Sequence, residues 1–294
     1  MLLDKLFLLM AVYPNYMFLV NKPLFSFVLF VLLCINANAK ETNFLTNAQY
    51  AVGMGAGVTY LNDYIGSDES SPYLFPFPYI YFKNDNFKID RNAFEGNIFT
   101  SDKWHLAFDA AGSLPVKSKD NKARMGMSDL DWVGEIGPSI EYYIQGNTLT
   151  ENKLYVDLSF RKAIATDFEH VNHIGWVSQL SLSQKYKVPH RIFGGDLVID
   201  SSISALYNST QYSRYYYDVN TEDVTDFRSK YRASSGYAGF RLAIGGTWRK
   251  NNYWLGAFTR YSNINHSTFE HSPLVKKSHN FLAGIAVSYI FLDN

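Results

Sequence analysis

Three short stretches carry residue types that do chemistry elsewhere. His170-Val171-Asn172-His173 sets two imidazoles three residues apart, with Asp167 and Glu169 close by. A zinc site needs three or four defined ligands, and no third ligand completes this pattern, so the pair reads as a solvated loop. Asn265-His266-Ser267 offers a base beside a nucleophile. Catalysis would need the two within hydrogen-bond reach and the base oriented by a third group. Neighbours on a strand point to opposite faces, so this stretch reads as loop chemistry. Gly53-x-Gly55-x-Gly57 has glycine spacing that partly matches a dinucleotide loop. That loop requires a strand before it and a helix after it. Here Val58-Thr59-Tyr60 continues as strand, and the glycines read as small residues that allow a bend or close packing. No catalytic, cofactor-binding or metal-ligating residue is assigned, and the chain is not expected to be an enzyme.

The elements that must position these residues begin after a targeting segment. Residues 23–35 are an apolar run, preceded by Lys22 and followed by Ala37-Asn38-Ala39. The run is too short for a transmembrane helix of about 20 residues. A basic n-region, an apolar h-region and an A-x-A site make a secretory signal peptide. Residues 1–39 are therefore expected to be the signal peptide, with Met17 as the expected true start, and 40–294 the mature domain. The one cysteine, Cys34, falls in the h-region, and Leu33 before it does not suit a lipid-attachment site. A chain with one cysteine has no intrachain disulfide framework and no cysteine zinc site. Acidic and basic residues balance at 27 each, so no net field favours nucleic acid.

The mature segment alternates with period two, the signature of strands with one apolar face. Leu154, Val156, Leu158 and Phe160 share one face; Tyr155, Asp157, Ser159 and Arg161 share the other. Leu106, Phe108 and Ala110 oppose His105 and Asp109. Phe240, Leu242, Ile244 and Trp248 oppose Arg241, Ala243, Thr247 and Arg249. Phe281, Ala283, Ile285, Val287, Tyr289 and Phe291 form a last apolar row. A soluble sandwich alternates too, but mid-strand charges at Asp109, Asp157, Arg161 and Arg241 suit a wet lumen. Aromatics near strand ends (Tyr79, Tyr81, Tyr142, Tyr143, Trp248, Tyr253, Trp254, Tyr289 and Phe291) suit the girdles of outer-membrane barrels. The fold expected is all-β, a transmembrane antiparallel up-and-down β-barrel.

Candidate strands are 49–62, 73–83, 87–100, 104–114, 132–144, 153–163, 174–186, 194–207, 236–249, 253–261 and 280–291. Longer connections (115–131, 164–173, 208–235, 262–279) alternate with shorter ones (145–152, 187–193, 250–252). Eleven strands conflict with the even number that two periplasmic termini require. Twelve strands are favoured, with 87–100 folding back as two; ten is the alternative. Two loops then invite comment. Tyr215-Tyr216-Tyr217-Asp218-Val219 reads as a hairpin packed over the barrel mouth, or as a ligand platform of stacking tyrosines. Lys117 to Arg124 holds four cations and one acid. It reads as a solvated loop, or as a contact for lipopolysaccharide phosphates through charge-assisted hydrogen bonds.

From about Tyr50 to Phe291 the chain resembles the MltA-interacting protein / OmpV family of outer-membrane proteins. The resemblance rests on Gly53-Met-Gly-Ala-Gly-Val58, Tyr64-Ile-Gly-Ser-Asp68 and Pro76-Phe-Pro-Tyr79. It continues through Ser113-Leu-Pro115, Arg124-Met-Gly-Met-Ser-Asp-Leu-Asp131 and Glu135-Ile-Gly-Pro138. Its last blocks are Tyr215 to Val219, Arg232-Ala-Ser-Ser-Gly-Tyr237, Arg260-Tyr261 and Ser272-Pro-Leu-Val275. The resemblance implies an outer-membrane scaffold or surface-interaction protein of the cell envelope, with a lytic transglycosylase and a peptidoglycan synthase as partners beside lipid and lipopolysaccharide. It supplies no cofactor and no catalytic residues. The alternative is a narrow porin-like channel for small solutes. A third reading, an outer-membrane lipid hydrolase, lacks a nucleophile–base constellation.

Overall fold

Alternation of apolar and polar residues becomes one antiparallel sheet. The computed structural model describes residues 49–83, 87–89, 94–96 and 99–294. The expected signal peptide lies outside the described residues. The strands are β1 (Gln49–Asn62), β2 (Ser70–Lys83), β3 (Phe87–Ile89), β4 (Phe94–Gly96), β5 (Phe99–Thr100), β6 (Trp104–Ser113) and β7 (Trp132–Gln145). They continue with β8 (Lys153–Thr166), β9 (Val171–Lys187), β10 (Asp196–Asn208), β11 (Gly236–Lys250), β12 (Tyr253–Asn263) and β13 (His279–Asp293). One helix of eight residues, α1 (Thr210–Tyr217), interrupts them. No described helix is long and apolar enough to cross a membrane.

Ten of the strands are long, and they match ten of the eleven candidate segments. The eleventh, 87–100, holds the three short strands β3, β4 and β5, with 90–93 and 97–98 outside the described residues. Strand order is β4-β3-β2-β1-β13-β12-β11-β10-β9-β8-β7-β6-β5. Sequence neighbours pair except β4 and β5, which stand at the two edges, and β1 also pairs β13, tying the first long strand to the last. The sheet is curled, so it has a convex and a concave face.

Register carries each side chain to its face. Asp157 pairs with Glu141 and Ser181, and Ser181 with Ser204. Ser204 pairs with Arg241 and Arg241 with Ser262, a polar row running across the concave face. The residues between them form apolar convex rows. Ile136, Leu158, Leu180, Ile203, Ile244 and Ile285 are all large and exposed, and Leu74 is 81% exposed. A water-soluble surface rarely carries contiguous apolar rows of this kind.

Aromatics divide otherwise than expected. Tyr142, Trp248, Tyr253, Tyr289 and Phe291 lie on the convex face. Tyr143 and Trp254 are buried at 1% and 5% exposure and lie on the concave one. Tyr79 and Tyr81 also face inward, with Phe77, against a cluster of Ala51, Trp254, Ala286 and Ile290. Phe77 stacks on Trp254 with centroids 5.1 Å apart. They fill the concave side near the start of β1 and the end of β13 and belong to no girdle. Alternation explains the error: β2 carries an aromatic at each inward position from Tyr73 to Tyr81, so proximity to a strand end did not report its face.

Connections differ at the two ends of the sheet. At one end they are short, down to Asn251-Asn252, where Asn251 takes the positive φ of 50° that a two-residue hairpin favours. At the other end lie 63–69, 114–131, 209–235 and 264–278. The expected long connection at 164–173 is a correction: β8 and β9 extend into it and leave only 167–170.

Candidate functional site

The concave face carries a charged network at mid-strand. Arg161 of β8 is 3% exposed in its side chain. Its Nε donates to Glu135 Oε2 at 3.0 Å. One Nη donates to Asp109 and, at 2.8 Å, to Ser159 Oγ; the other reaches Gln179 Oε1 at 3.4 Å. The Asp109 contact crosses β7 above Gly137, the residue that pairs with Asp109. A Cβ on Gly137 would lie 1.9 Å from the Phe160 carbonyl oxygen and 2.9 Å from Arg161 Cα. Glycine there lets β7 and β8 close together beneath the ion pair. Gln179 then donates to Ser181 and Ser204, and Ser181 and Ser183 donate to Asp157 at 3.3 and 3.2 Å.

A cap sits above this network. Ser209 starts α1: its hydroxyl accepts from Tyr212 N at 3.3 Å and from Trp176 N of β9 at 2.9 Å. Gly175, at φ +114°, makes room, since a Cβ there would meet Ser209 Oγ at 2.3 Å and Tyr212 N at 2.7 Å. Tyr212 and Tyr216, four residues apart, share one face of the helix. Tyr212 donates to Glu135 Oε1 at 2.7 Å, and the Tyr216 hydroxyl bonds Ser113 Oγ at 2.9 Å. Burial raises the pKa of both phenols, so they stay protonated and available as donors.

The other connections lock onto this helix and onto each other. Tyr217 stacks on Phe269 at 3.9 Å and donates to Ile65 O at 2.8 Å. Tyr64 donates to Leu274 O at 2.7 Å, and Ser272 to Tyr217 O at 2.8 Å. Arg124, buried, donates to Tyr216 O at 3.1 Å, and Arg228 to Ala123 O at 2.9 Å. Asn121 donates to Asp63 Oδ2 at 2.7 Å. Burial raises the Asp63 pKa, while that hydrogen bond opposes the rise. Tyr64, Val116, Leu130, Tyr216, Tyr217, Ala233, Ile264 and Phe269 form one apolar core with residues of the strand ends. Beneath it lies a cavity of about 220 Å³, bordered by Arg161, Arg241, Arg260, Glu135, Tyr212 and Tyr216.

The stretches singled out by residue type fall as follows. Gly53, Gly55 and Gly57 lie within β1, and a Cβ on Gly57 would meet the Phe75 ring at 2.6 Å. His170 turns to Asp167 and His173 to the Ala163 carbonyl, so each imidazole has its own partner. His266 and Ser267 lie in a turn past β12. The His266 amide donates to Glu270, and Ser267 Oγ is buried without a partner. No nucleophile–base pair forms there. Tyr215–Val219 corrects an expectation: the tyrosines end a helix rather than a hairpin, and only Val219 bridges, to Tyr231. Of the basic stretch, Lys117 pairs with Asp129 at 2.9 Å and Lys122 is exposed, but Arg124 is part of the cap core. Arg260, Tyr212 and the 63–69 connection were missed. The i, i+4 tyrosines behind a serine N-cap were the available signal for the helix.

A curled antiparallel sheet, apolar outside and charged within, defines the class of outer-membrane-type β-proteins. Within that class the chain belongs to the MltA-interacting protein MipA family, whose model matches residues 54–291. It is 25% identical over 193 residues to outer membrane protein OmpV of Vibrio cholerae, covering 63% of this chain and 62% of that one. It is 26% identical over 193 residues to outer membrane protein Omp26La of Vibrio anguillarum, with the same coverage. The chain thus spans 62% of the length of these relatives. Among solved structures, OccK8 (OprE) of Pseudomonas aeruginosa aligns at 9% identity with a TM-score of 0.21, over 76% of this chain and 70% of that chain.

Proposed function

We propose that the chain is an exported outer-membrane barrel whose capped end is a rigid surface for contacts outside the cell. Its opposite end would engage envelope machinery. The observation that carries this is the cap: four connections and α1 share one core and a closed set of hydrogen bonds over the sheet's end. Such a cap serves recognition better than conduction. Residues 1–39 direct export. The pairing of β4 with β3 at one sheet edge and of β5 with β6 at the other supports a closed barrel. Lipid tolerates no open edge, which favours joining the two edges into a barrel of twelve strands. The family's description supports a lytic transglycosylase as the periplasmic partner, and lipopolysaccharide phosphates suit exposed Lys117, Lys119 and Lys122. No catalytic role is proposed.

The concave charged rows and the cavity favour a second reading, a narrow channel for small solutes that conducts when the cap moves. Purified protein in planar bilayers separates the two. The scaffold reading expects no steady channels and specific co-purification of a lytic transglycosylase with the membrane-embedded protein. Steady discrete channels without such capture would overturn it. Heat-modifiable gel migration in an outer-membrane fraction tests the barrel itself.

A further inference from the structure

Charges on the concave face are unequally served. Arg161 is saturated: its nitrogens are taken by Glu135, Asp109, Ser159 and Gln179. Both Glu135 oxygens are occupied, one by Arg161 and one by Tyr212. Asp63, the other carboxylate at the cavity, already accepts from Asn121. Arg241 and Arg260 border the same cavity; the carboxylate whose charge reaches both is Glu135, whose oxygens Arg161 and Tyr212 already hold. Arg241 Nε is buried with no hydrogen-bond partner. Among the described residues neither guanidinium has a carboxylate partner. The strand register explains why: Arg241 is flanked by Ser204 and Ser262, and Arg260 by Ala243 and Leu282. None of the four can neutralise a cation.

We propose that the cavity beneath the tyrosine helix binds a small oxyanion, of the phosphate or carboxylate class, between Arg241 and Arg260. Arg241 pairs with Ser262 and Ala243 with Arg260, so the two arginines are diagonal neighbours on one face. Diagonal neighbours leave the strands roughly 7–8 Å apart, close enough for two long arginine side chains to converge on one oxyanion with a charge-assisted hydrogen bond from each. Planar guanidinium forks match such oxygens bidentately. Arg260 stays accessible to the cavity while Arg241 is half-buried, so one fork anchors the anion and the other meets it on entry. The Tyr212 hydroxyl borders the same space. At about 220 Å³ the cavity is smaller than sites for drug-sized ligands, about 300–1,000 Å³. It suits phosphate or a short dicarboxylate rather than a nucleotide or an oligosaccharide. The site stands on β8, β11, β12 and the cap, so it holds independently of barrel closure and of any envelope partner.

The test is calorimetric titration of the purified protein in detergent with inorganic phosphate and, separately, succinate, at fixed ionic strength. Saturable one-to-one heat is expected from at least one anion, and which one responds assigns the class. R260Q and R241Q should weaken it by about tenfold or more, since each removes one charge-assisted contact; R260K should retain part, and K277Q, at an exposed lysine outside the cavity lining, should bind as the parent does. If R241Q loses heat-modifiable folding, R260Q decides, because its side chain supports no described contact. Absence of saturable heat from both anions, or parental affinity in R260Q, overturns the proposal.

Discussion

At the scale of single residues, Arg161 shows how a charge is kept inside. Its guanidinium is almost fully buried yet finds two carboxylates, a serine and an amide. Removing one partner of a buried pair leaves an uncompensated charge, at about 3–5 kcal/mol. R161M is therefore expected to lower stability by about that amount, and R161M/E135Q by less than the sum of its single variants. Urea unfolding in lipid vesicles checks both. Gly137 and Gly134 make a second contrast on one strand. A Cβ at Gly137 would press into the Phe160 carbonyl at 1.9 Å, whereas at Gly134 the nearest atom is 3.9 Å away. G137A should impair assembly and G134A should not, as judged by the folded, heat-modifiable fraction. The His170 and His173 pair was expected in a solvated loop; His170 lies in the turn beside Asp167, while His173 stands in β9 against the Ala163 carbonyl.

At the scale of elements, the ten long strands follow from alternation because the period itself places side chains on two faces. The turn between β8 and β9 depends on one exposed carboxylate. Asp167 accepts from the amides of Glu169 at 2.9 Å and His170 at 2.7 Å. Those bonds hold its pKa down to about 2, below the ordinary 3.8. A carboxylate whose folded pKa is depressed stabilises above its unfolded pKa and loses that effect as pH falls through the folded value. The turn should thus loosen between about pH 4 and pH 2, seen as lost protection of the Glu169 and His170 amides relative to their intrinsic exchange rates at each pH. In D167A that dependence should vanish. Helix α1 left only a weak signal in the sequence, a serine N-cap with tyrosines at i, i+4. Tyrosine favours strands on propensity, and eight residues are too few to hold a helix unaided. Burial of Tyr212, Tyr216 and Tyr217 against other connections is what stabilises it.

At the scale of the molecule, the cap and the sheet are separable in their stability. Arg124 lies in the cap and donates to the Tyr216 and Ser128 carbonyls, but it touches no long strand through those bonds. R124A should free 114–131 and 209–235 for proteolysis while heat-modifiable migration survives. In bilayers the same variant tests the two functional readings. Conductance that appears only in R124A supports a channel closed by its cap; silence in both proteins supports a scaffold.

The sequence by itself determined the ten long strands, the faces of their alternating aliphatic and charged rows, and the family, because period-two patterning is local and is read off residue order alone. It also placed Asp109, Asp157, Arg161 and Arg241 on the inner face. Tertiary structure alone decided which of those charges meet. Asp109 and Arg161 are 52 residues apart and come together only because β7 carries a glycine between them. It alone decided that Tyr79, Tyr81 and Trp254 pack inside, and that four distant connections and a tyrosine helix make one cap. Arg260 became a candidate only when register set it diagonal to Arg241, with no acid beside either, since pairing between distant strands leaves no trace in either strand's own pattern.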